Sequence, residues 1–536
     1  MVRFPPQSVR PLAYSFSLLI LLMPSLARAD SLYTVVDLQP AGTNYSYVRG
    51  IGNGFQGGYI PYGGYTDHAA SWKGSASSFQ DIHPAFLTDP VWSSASFVLG
   101  AGGNQMAGYG WGYSTLGDAA LLWTGTPGSC VSLHPSTHVD ERSQAWGTDG
   151  QQQVGYWRRY ITNKTEYHAT VWQGTAASVV DLHPAGFISS FATAVSQGQQ
   201  AGYGNPGAPN FWDHALMWSG SAGSVVDLNG TGLNQSNAFG IWGGKVAGNA
   251  VGQATSYSTH AMLWNGAPND RTDLHPAGYD ESYAKGICGK IEVGYASGAI
   301  SGYREHAVAW NSTAGSILDL HALLPSGFTS SRAYAVDEYG NIIGEAGDSQ
   351  GIHPILWQLN TTPYSVSFQA GQTFADTGLT LQGSSPSALA DILADPESGG
   401  GHGGVLHLLN SDGGSNVYVG VSKGNLGVSK KIQVAFEYLF ATDGKLQVIL
   451  DGETLDTLDS PGIGQAGYLG SGWAHYSHAF TLAGPSLDSA VQLKVSNVGD
   501  PEFYLDNWSV TNLPEPMTSV LLALGGLGAL LRRRRQ

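Results

Sequence analysis

Cysteine and basic residues are scarce in this chain of 536 residues, and their scarcity excludes several classes of protein. Only Cys130 and Cys288 are present, which excludes a disulfide framework and leaves a single bridge between them as an alternative. Lysine and arginine total 24 against 40 acidic residues, for a net charge of −16. Nucleic acid is therefore not an expected partner, because phosphate binding needs clustered basic side chains.

Signatures of catalysis are also missing. The chain contains no G-x-S-x-G nucleophile elbow, no HExxH helix and no S-x-D-x-G-x-T-W box. No pair of carboxylates stands out as the two acids that glycosidase chemistry needs. The sequence therefore favours a protein that is not an enzyme, with no catalytic residues, and it leaves an enzymatic alternative open.

Glycine and aromatic residues are abundant instead. The chain has 74 Gly, 26 Tyr and 15 Trp, and only 12% of its residues are charged. Glycine supplies the dihedral angles of tight turns, and aromatic rings fill pleated surfaces. This composition predicts an all-β protein of many short strands.

Three phrases recur in constant order along the chain. The tryptophans of a His-Ala-x-x-Trp phrase follow one another at intervals of 46 to 51 residues: Trp72, Trp123, Trp172, Trp218, Trp264, Trp310 and Trp357. An Asp-Leu phrase, often Asp-Leu-His-Pro, begins at Asp37, Asp81, Asp181, Asp227, Asp273 and Asp319. A Gly-Tyr phrase, or one close to it, begins at Gly58, Gly108, Gly155, Gly202, Gly248, Gly294 and Gly344. A unit this small cannot bury its own core, so the copies must pack against one another.

Each repeat is predicted to form four antiparallel strands. In one copy these are residues 178–182, 190–195, 199–204 and 214–218. Seven such units match a seven-bladed β-propeller. The array opens with a lone Asp-Leu strand at 33–38 and ends on a lone tryptophan strand at 353–357, so we predict that these two pair and remove exposed edges.

The recurring histidines, aspartates and tryptophans are predicted to be structural. A catalytic site would single out one repeat, whereas these residues occur in nearly all of them. In a strand, His214 and Trp218 share one face and Ala215 lies on the other, which lets successive sheets nest. We expect each histidine to donate to a carbonyl group or to the repeat aspartate. The alternative, a ring of metal-binding histidines, would hold its ligands too far apart for one ion.

The phrases HA-x-x-W, DLHP, S-x-A and GxxxGY resemble those of the extracellular HAF-repeat family over residues 33 to 357. The chain departs from the family where Ala, Thr, Leu, Met or Val replaces the Phe of His-Ala-Phe, and where DLHP replaces DLGTLGG. The resemblance implies a fold and export, and it implies no particular activity.

The loops between the Gly-Tyr and His-Ala phrases are the predicted binding region. They vary most between copies, and variable loops on a rigid scaffold commonly carry binding. The candidate ligand-binding residues are Tyr62, Tyr65, Trp111, Tyr113, Trp157, Arg158, Tyr160 and Trp212. Exposed rings beside polar groups would suit stacking on sugars. The alternative is that these rings only cover the rim of the propeller.

Both ends of the chain predict export. Residues 1–29 carry early arginines, an apolar stretch and Ala27 and Ala29 of an A-x-A cleavage site, as a secretory signal does. At the other end, Pro514, Glu515 and Pro516 precede an apolar stretch at 517–531, a short transmembrane helix. The arginines that follow are Arg532, Arg533, Arg534 and Arg535.

This tail resembles the PEP-CTERM sorting signal, which exosortase recognises and cuts in Gram-negative bacteria that produce exopolysaccharide. The resemblance implies exosortase as a partner, transient association with the inner membrane, processing near Pro514 and release to the cell surface or extracellular matrix. An ordinary tail anchor is the alternative.

A second domain is predicted at residues 365–513, after a linker at 359–364 that follows the propeller at 30–358. Alternating apolar residues such as Ile432, Val434 and Phe436 predict an antiparallel β-sandwich of jelly-roll type. Residues 503–510 look like the last strand of galactose-binding-like and carbohydrate-binding-module sandwiches. That resemblance implies Asp506 as a ligand for structural calcium, and the alternative is an exposed carboxylate at a strand end.

Taken together, these features predict an exported, non-enzymatic protein of the cell surface or biofilm matrix. We expect it to bind polysaccharide through the propeller rim and the sandwich. One alternative is a secreted polysaccharide-degrading enzyme with a site in the propeller's central pocket. The other is a purely structural scaffold for other proteins.

Overall fold

A computed structural model describes most of the chain from Leu32 to Leu513. The described residues are 32–62, 66–87, 94–112, 117–136, 138, 140–209, 211–360, 364–369, 372–383, 388–394, 396, 405–410, 415–462, 464–469, 471–498 and 502–513. They belong to one compact unit, Leu32–Gln536. The signal residues Ala27 and Ala29 and the tail from Pro514 to Arg535 lie outside the described residues.

The first 28 strands of the described chain form seven antiparallel units of four strands, here called repeat sheets 1 to 7. Sheets 3 and 4 are joined into one eight-stranded sheet by a parallel pairing of β12 with β14, at Tyr167 opposite Ser189. Sheet 1 contains β2 (Tyr47–Gly52), β3 (Phe55–Tyr62), β4 (Thr66–Trp72) and β5 (Gln80–Asp81). Sheet 2 contains β6 (Ala95–Gly102), β7 (Gln105–Trp111), β8 (Ala119–Trp123) and β9 (Val131–Ser132). Sheet 3 contains β10 (Arg142–Thr148), β11 (Gln153–Ile161), β12 (Lys164–Trp172) and β13 (Val180–Asp181). Sheet 4 contains β14 (Ser189–Ser196), β15 (Gln199–Asn205), β16 (His214–Trp218) and β17 (Val226–Asp227).

The remaining three repeat sheets follow the same plan. Sheet 5 contains β18 (Gln235–Trp242), β19 (Lys245–Val251), β20 (His260–Ala267) and β21 (Asp270–Asp273). Sheet 6 contains β22 (Glu281–Cys288), β23 (Ile291–Ser297), β24 (His306–Trp310) and β25 (Leu318–Asp319). Sheet 7 contains β26 (Ser330–Val336), β27 (Ile342–Gly347), β28 (Ile352–Leu359) and, from the start of the chain, β1 (Tyr33–Asp37).

The later strands form two further antiparallel sheets. One contains β29 (Tyr364–Val366), β31 (Ala388–Leu393), β32 (Val405–Asn410), β34 (Lys431–Phe440), β37 (Ala474–Thr481) and β39 (Glu502–Asn512). The other contains β30 (Thr380–Gly383), β33 (Ser415–Val428), β35 (Lys445–Leu450), β36 (Glu453–Asp459) and β38 (Ser486–Val498). The helical segments among the described residues are short 3₁₀ turns at Ala76–Ser78, Ala85–Leu87, Pro127–Ser129, Ala176–Ser178, Ala222–Ser224, Gln253–Thr255, Ala299–Ser301, Ala314–Ser316, His321–Leu323 and Phe374–Thr377. The prediction of an all-β protein is confirmed.

The repeat sheets contact one another in chain order. The first strand of each sheet packs against the sheet before it, and β2 of sheet 1 packs against β26, β27 and β28 of sheet 7. In sheet 7, β1 pairs with β28 in antiparallel register from Tyr33 opposite Leu359 to Asp37 opposite Ile355. The predicted pairing between the opening strand and the last tryptophan strand is therefore confirmed.

The repeat histidines are hydrogen-bonded to the repeat aspartates, as predicted. In every such pair the histidine Nδ1 lies 2.7 to 3.0 Å from an aspartate Oδ2. The pairs are His68–Asp81, His168–Asp181, His214–Asp227, His260–Asp273, His306–Asp319 and His353–Asp37. The same hydrogen bond recurs in six sheets, so its role is to join the third strand to the fourth.

A second histidine, from Asp-Leu-His-Pro, joins neighbouring sheets. The Ser190 Oγ of sheet 4 accepts the Ala169 N–H of sheet 3 at 2.9 Å and lies 2.8 Å from His183 Nδ1. The His183 N–H donates to Asp181, and the other ring nitrogen lies 3.1 Å from a backbone carbonyl. Because a carbonyl oxygen can only accept, Nε2 carries the proton of a neutral imidazole and Nδ1 accepts the serine O–H. Corresponding Nδ1-to-serine contacts occur at His83, His134, His275 and His321.

Protonation of these inter-sheet histidines should contribute to the pH dependence of the protein's stability. Burial lowers the pKa of His83 to about 4, with a smaller contribution from His68, and burial also lowers the pKa of His134, His183, His275 and His321. A histidine whose folded pKa lies below its unfolded value binds a proton more readily when unfolded. Its stabilising contribution is therefore present above pH 6.5 and is lost as pH falls toward 4.

We expect the melting temperature of the protein to fall less between pH 7.5 and 5 in a His83→Asn variant than in the wild type. Asparagine is a suitable replacement because Asn229 occupies this position in one repeat and accepts the Ser236 hydroxyl at 2.9 Å. Burial raises the pKa of Glu292 to about 7, which acts in the opposite direction, so the comparison must be between variant and wild type. Equal falls in melting temperature would contradict the prediction.

The two later sheets pack face to face around an apolar core that includes Phe436, Phe440 and Trp508. This sandwich contacts the repeat sheets at the hairpins between their first and second strands. Lys430 Nζ lies 2.7 Å from Glu338, and Lys290 Nζ lies 2.8 Å from Asp451. The sandwich therefore covers part of one end of the repeat sheets, and the opposite end carries the loops between the second and third strands.

Within the described residues both cysteines are free, so the alternative of a bridge between Cys130 and Cys288 does not hold. The same part of the chain contains no helix that is both long and apolar enough to span a membrane. The predicted transmembrane segment at 517–531 lies outside it.

Candidate functional site

The predicted binding residues that the structure describes lie toward one end of the repeat sheets, on four different sheets. Tyr62 is 55% exposed and stacks on His68 at 4.0 Å, and Trp212 is 53% exposed. Tyr160 stacks on His138 at 5.2 Å. Tyr65 and Tyr113 lie outside the described residues. Tyr62 belongs to sheet 1, Tyr160 to sheet 3 and Trp212 to the loop before β16, and within the described residues these three rings make no ring contact with one another.

The other predicted binding residues are held by their neighbours. The Trp157 Nε1–H donates to Glu141 at 3.0 Å, and the Arg158 guanidinium donates to the Asp140 carbonyl at 2.7 Å. Trp111 packs on Phe97 at 5.3 Å between ring centroids. These contacts order the side chains, and Trp111 belongs to a larger aromatic group described below.

Asp506 lies in the middle of β39 and is 2% exposed, so the alternative of an exposed strand-end carboxylate is wrong. Its Oδ1 accepts the backbone N–H groups of Phe368 at 3.1 Å and Asn507 at 2.7 Å. Across the described residues, no group of three or more His, Cys, Asp and Glu side chains is arranged to hold a metal ion. Calcium binding by Asp506 stays a prediction.

A cavity of about 720 Å³ lies where the first strands of all seven repeat sheets meet. Each first strand has a β-bulge at the same place, opposite the second strand. A bulge inserts one extra residue and re-aims its side chain. The residues at the bulges, here called the bulge residues, all line this central cavity, and they are Arg49, Leu99, Trp146, Thr193, Phe239, Lys285 and Tyr334.

The bulges also explain the repeat glycine of the second strand. A Cβ atom placed on Gly202 would lie 1.9 Å from the Phe191 carbonyl oxygen, next to the bulge of β14. The corresponding distance is 1.8 to 2.0 Å at all seven glycines of the Gly-Tyr phrase. Only glycine leaves room for that carbonyl group, so the recurring Gly-Tyr phrase permits the bulge that directs a side chain into the central cavity.

Aromatic rings of the first two strands of the sheets lie beside the bulge residues, and we call this group the aromatic belt. Three of its rings, Trp146, Phe239 and Tyr334, line the central cavity itself. Neighbouring rings lie 4.8 to 6.4 Å apart from Tyr47 to Trp111 and again from Trp146 to Phe239. The belt comprises Tyr47, Tyr59, Phe97, Tyr109, Trp111, Trp146, Tyr156, Phe191, Tyr203, Phe239, Tyr283, Tyr295 and Tyr334. Most of these rings are partly exposed, so they can contact a ligand.

Three cationic side chains, those of Arg49, Lys285 and Arg332, contact rings of the aromatic belt. The Arg49 guanidinium lies 4.3 Å from the Tyr334 ring centroid and 2.8 Å from Glu345. Burial opposes its charge, but Tyr334 and Glu345 raise the pKa of Arg49. Tyr334 donates to the same Glu345, which is 8% exposed. This carboxylate is thus committed to its arginine and tyrosine neighbours.

The sequence contains a signal for the bulge residues. Each first strand follows the pattern S-x-[A/V]-X-[G/A], in which X is the bulge residue. The serine joins neighbouring sheets, and the small residues permit close packing. The position X differs in all seven copies and lies between constant neighbours. A variable position inside a constant framework indicates a side chain whose role is not structural.

No protein-family model and no curated protein matches this chain. Among solved structures, it is similar to the enzymatically active domain of bacteriophage CBA120 tailspike protein 4, with 10% identity, a TM-score of 0.19 and coverage of 26% of this chain and 20% of that chain. It is also similar to TmCBM61 in complex with β-1,4-galactotriose, with 9% identity, a TM-score of 0.20 and coverage of 28% and 99%. A third is the CBM22-1 xylan-binding domain from Paenibacillus barcinonensis Xyn10C, with 12% identity, a TM-score of 0.21 and coverage of 29% and 97%. These TM-scores are too low to establish a common fold or a common ligand.

Proposed function

We propose that the seven repeat sheets are the blades of a β-propeller and that this propeller binds polysaccharide without cleaving it. The order of contacts from sheet 1 to sheet 7 and back to sheet 1 supports this architecture. So does the pairing of β1 with β28, which supplies the last blade with its fourth strand from the start of the chain.

The observation that carries the proposed function is the aromatic belt, three rings of which, Trp146, Phe239 and Tyr334, line the central cavity. Sugar rings have apolar C–H faces and polar edges, and aromatic side chains bury such faces at low conformational cost. A cavity of about 720 Å³ is within the usual range for ligand pockets. The bulge residues add polar groups of different kinds at fixed positions, as recognition of an irregular glycan surface requires.

The predicted location and sorting belong to the same proposal. We infer that the chain is exported through the signal ending near Ala29 and is cut by exosortase near Pro514 after brief retention at the inner membrane. It would then act at the cell surface or in the biofilm matrix of a Gram-negative bacterium. The repeat phrases remain similar to those of HAF-repeat proteins.

Replacing Trp146 with alanine tests the proposed binding site. Trp146 lines the central cavity and stacks on Phe191 at 5.7 Å. We expect Trp146→Ala to weaken binding to a retained polysaccharide by about tenfold or more, because buried aromatic anchors dominate recognition. Affinity electrophoresis against a panel of bacterial and plant polysaccharides, including exopolysaccharides of exosortase-bearing bacteria, would measure the change.

The matched control is Trp212→Ala, on an exposed loop of the outer rim. Loss of binding in this variant alone would assign the contact to the rim loops, and unchanged binding in both would assign it to the sandwich. Retention of no polysaccharide would contradict the proposed function. A rise in reducing sugar ends during incubation would favour the enzymatic alternative.

A further inference from the structure

Three cations face the aromatic belt, and two of them are paired with carboxylates. Arg49 lies 2.8 Å from Glu345, and Arg332 lies 2.6 Å from Glu305. Lys285 is a bulge residue that lines the central cavity, and among the described residues no carboxylate forms an ion pair with it. Both arginines therefore have a carboxylate partner, whereas Lys285 has none among the described residues.

The surroundings of Lys285 are aromatic. Its Nζ lies 3.7 Å from the ring centroid of Phe239 and 5.8 Å from the centroids of both Tyr283 and Tyr295. Burial lowers the pKa of Lys285 to about 8, with a smaller contribution from Arg332. The ammonium group is therefore mostly charged at pH 7. Its contacts with aromatic faces offset only part of the free energy lost when its water is removed.

A cation in this position is suited to an anion that arrives with a ligand. The cavity wall around it offers the Phe239 ring for an apolar sugar face, and the ammonium group can donate three hydrogen bonds to anionic oxygens. Because Lys285 is partly desolvated, a charge-assisted contact there is stronger than the same contact on an open surface.

We propose that the central cavity binds a sugar residue bearing an anionic group, and that Lys285 holds that group. This inference rests on the proposed polysaccharide binding and adds the class of ligand. The anionic group is a carboxylate, as in a uronic acid, or a sulfate ester, since an ammonium group can form an ion pair with either. The other bulge residues contact the neutral remainder of the sugar chain.

The test compares the wild type with Lys285→Met, which keeps the length of the side chain and removes its charge. The ligands are polygalacturonate and its methyl-esterified form as the carboxylate arm, and dextran sulfate and dextran as the sulfate arm. The matched control is Lys164→Met, which removes the same charge from an exposed position at the start of β12. Melting temperatures of all variants would verify folding, and Lys285→Arg would test rescue by another cation.

We expect the wild type to bind at least one charged polymer about tenfold more tightly than its neutral counterpart. Lys285→Met should abolish this preference, so that the charged and the neutral polymer bind with similar affinity, whereas Lys164→Met should keep it. Binding that ignores polymer charge, or a preference that survives in Lys285→Met, would overturn this inference and leave the proposed function standing. Failure to bind any polymer, these and the wider panel included, would overturn both.

Discussion

Replacing Gly202 with alanine should lower the free energy of unfolding by about 3 kcal/mol or more. Overpacking a well-packed site typically costs about 1–3 kcal/mol, and here no neighbouring side chain can move to make room. The new Cβ would lie 1.9 Å from the Phe191 carbonyl oxygen and 2.8 Å from the Ala192 Cα. Both obstructing atoms belong to the backbone of β14, so no side-chain rotation can relieve the contact. Sheet 4 would have to flatten its bulge or separate its first two strands.

Urea unfolding of the Gly202→Ala variant would measure this change, and Gly223→Ala is the matched control. A Cβ on Gly223 would meet nothing within 4 Å, and Ala177 occupies the equivalent place in the preceding repeat. We expect the control to lie within about 0.5 kcal/mol of the wild type. If Gly202→Ala were equally neutral, the glycines of the Gly-Tyr phrase would not be required by the bulges.

Replacing Tyr33 with alanine should cost about 3–5 kcal/mol, the range found when large buried aromatic side chains are truncated. Tyr33 is 2% exposed, and its hydroxyl donates to the Gly340 carbonyl at 3.0 Å. It packs with Trp357 and Leu359 in the core of sheet 7. Tyr33 lies in β1 and packs in a core shared by sheets 6 and 7, so this loss would weaken the pairing of β1 with β28.

Thermal unfolding together with hydrogen exchange at the amides of β28 would test this prediction. Exchange should accelerate in β28 before it does so in β16, which belongs to sheet 4. Tyr45→Ala is the control, because Tyr45 is 48% exposed and close to the same strands. A Tyr33→Ala protein that melts and exchanges like the wild type would remove the support that β1 lends to the proposed propeller.

Recurring residues were the part of the structure that could be predicted from sequence. The histidine–aspartate pairs, such as His214 with Asp227, follow from their constant separation on adjacent strands joined by a short turn. The burial of the seven repeat tryptophans follows from their constant spacing, and all seven are fully buried. Both are local or repeated features, so each copy strengthens the inference drawn from the others.

The candidate site could be predicted only in part. The loop residues Tyr62, Tyr160 and Trp212 lie at the end of the sheets where aromatic loops were expected, but among the described residues their rings do not contact one another. The residues that share a cavity, such as Trp146 and Lys285, are in strands, at the variable position of an otherwise constant phrase. Their convergence depends on seven bulges and on packing between sheets, which a single repeat does not encode.

The two later sheets show the same division. Alternation along β34 predicted the core positions Ile432, Val434 and Phe436, which are all buried. The place of β39 inside its sheet, which buries Asp506, depends on pairing with strands far away in sequence. Strand order depends on the packing of the whole sheet. The residues around Asp506 in the sequence therefore do not show that this side chain is buried.

The sequence by itself determined the all-β class, the number and period of the repeats and the structural role of their constant residues. These properties arise from side-chain alternation and short-range pairing, which act within one repeat of about 46 residues. Only the tertiary structure decided which variable side chains meet, because the bulge residues are brought together from seven repeats. A cavity is a property of surfaces that pack around it, and so its chemistry emerges only when distant strands occupy their places.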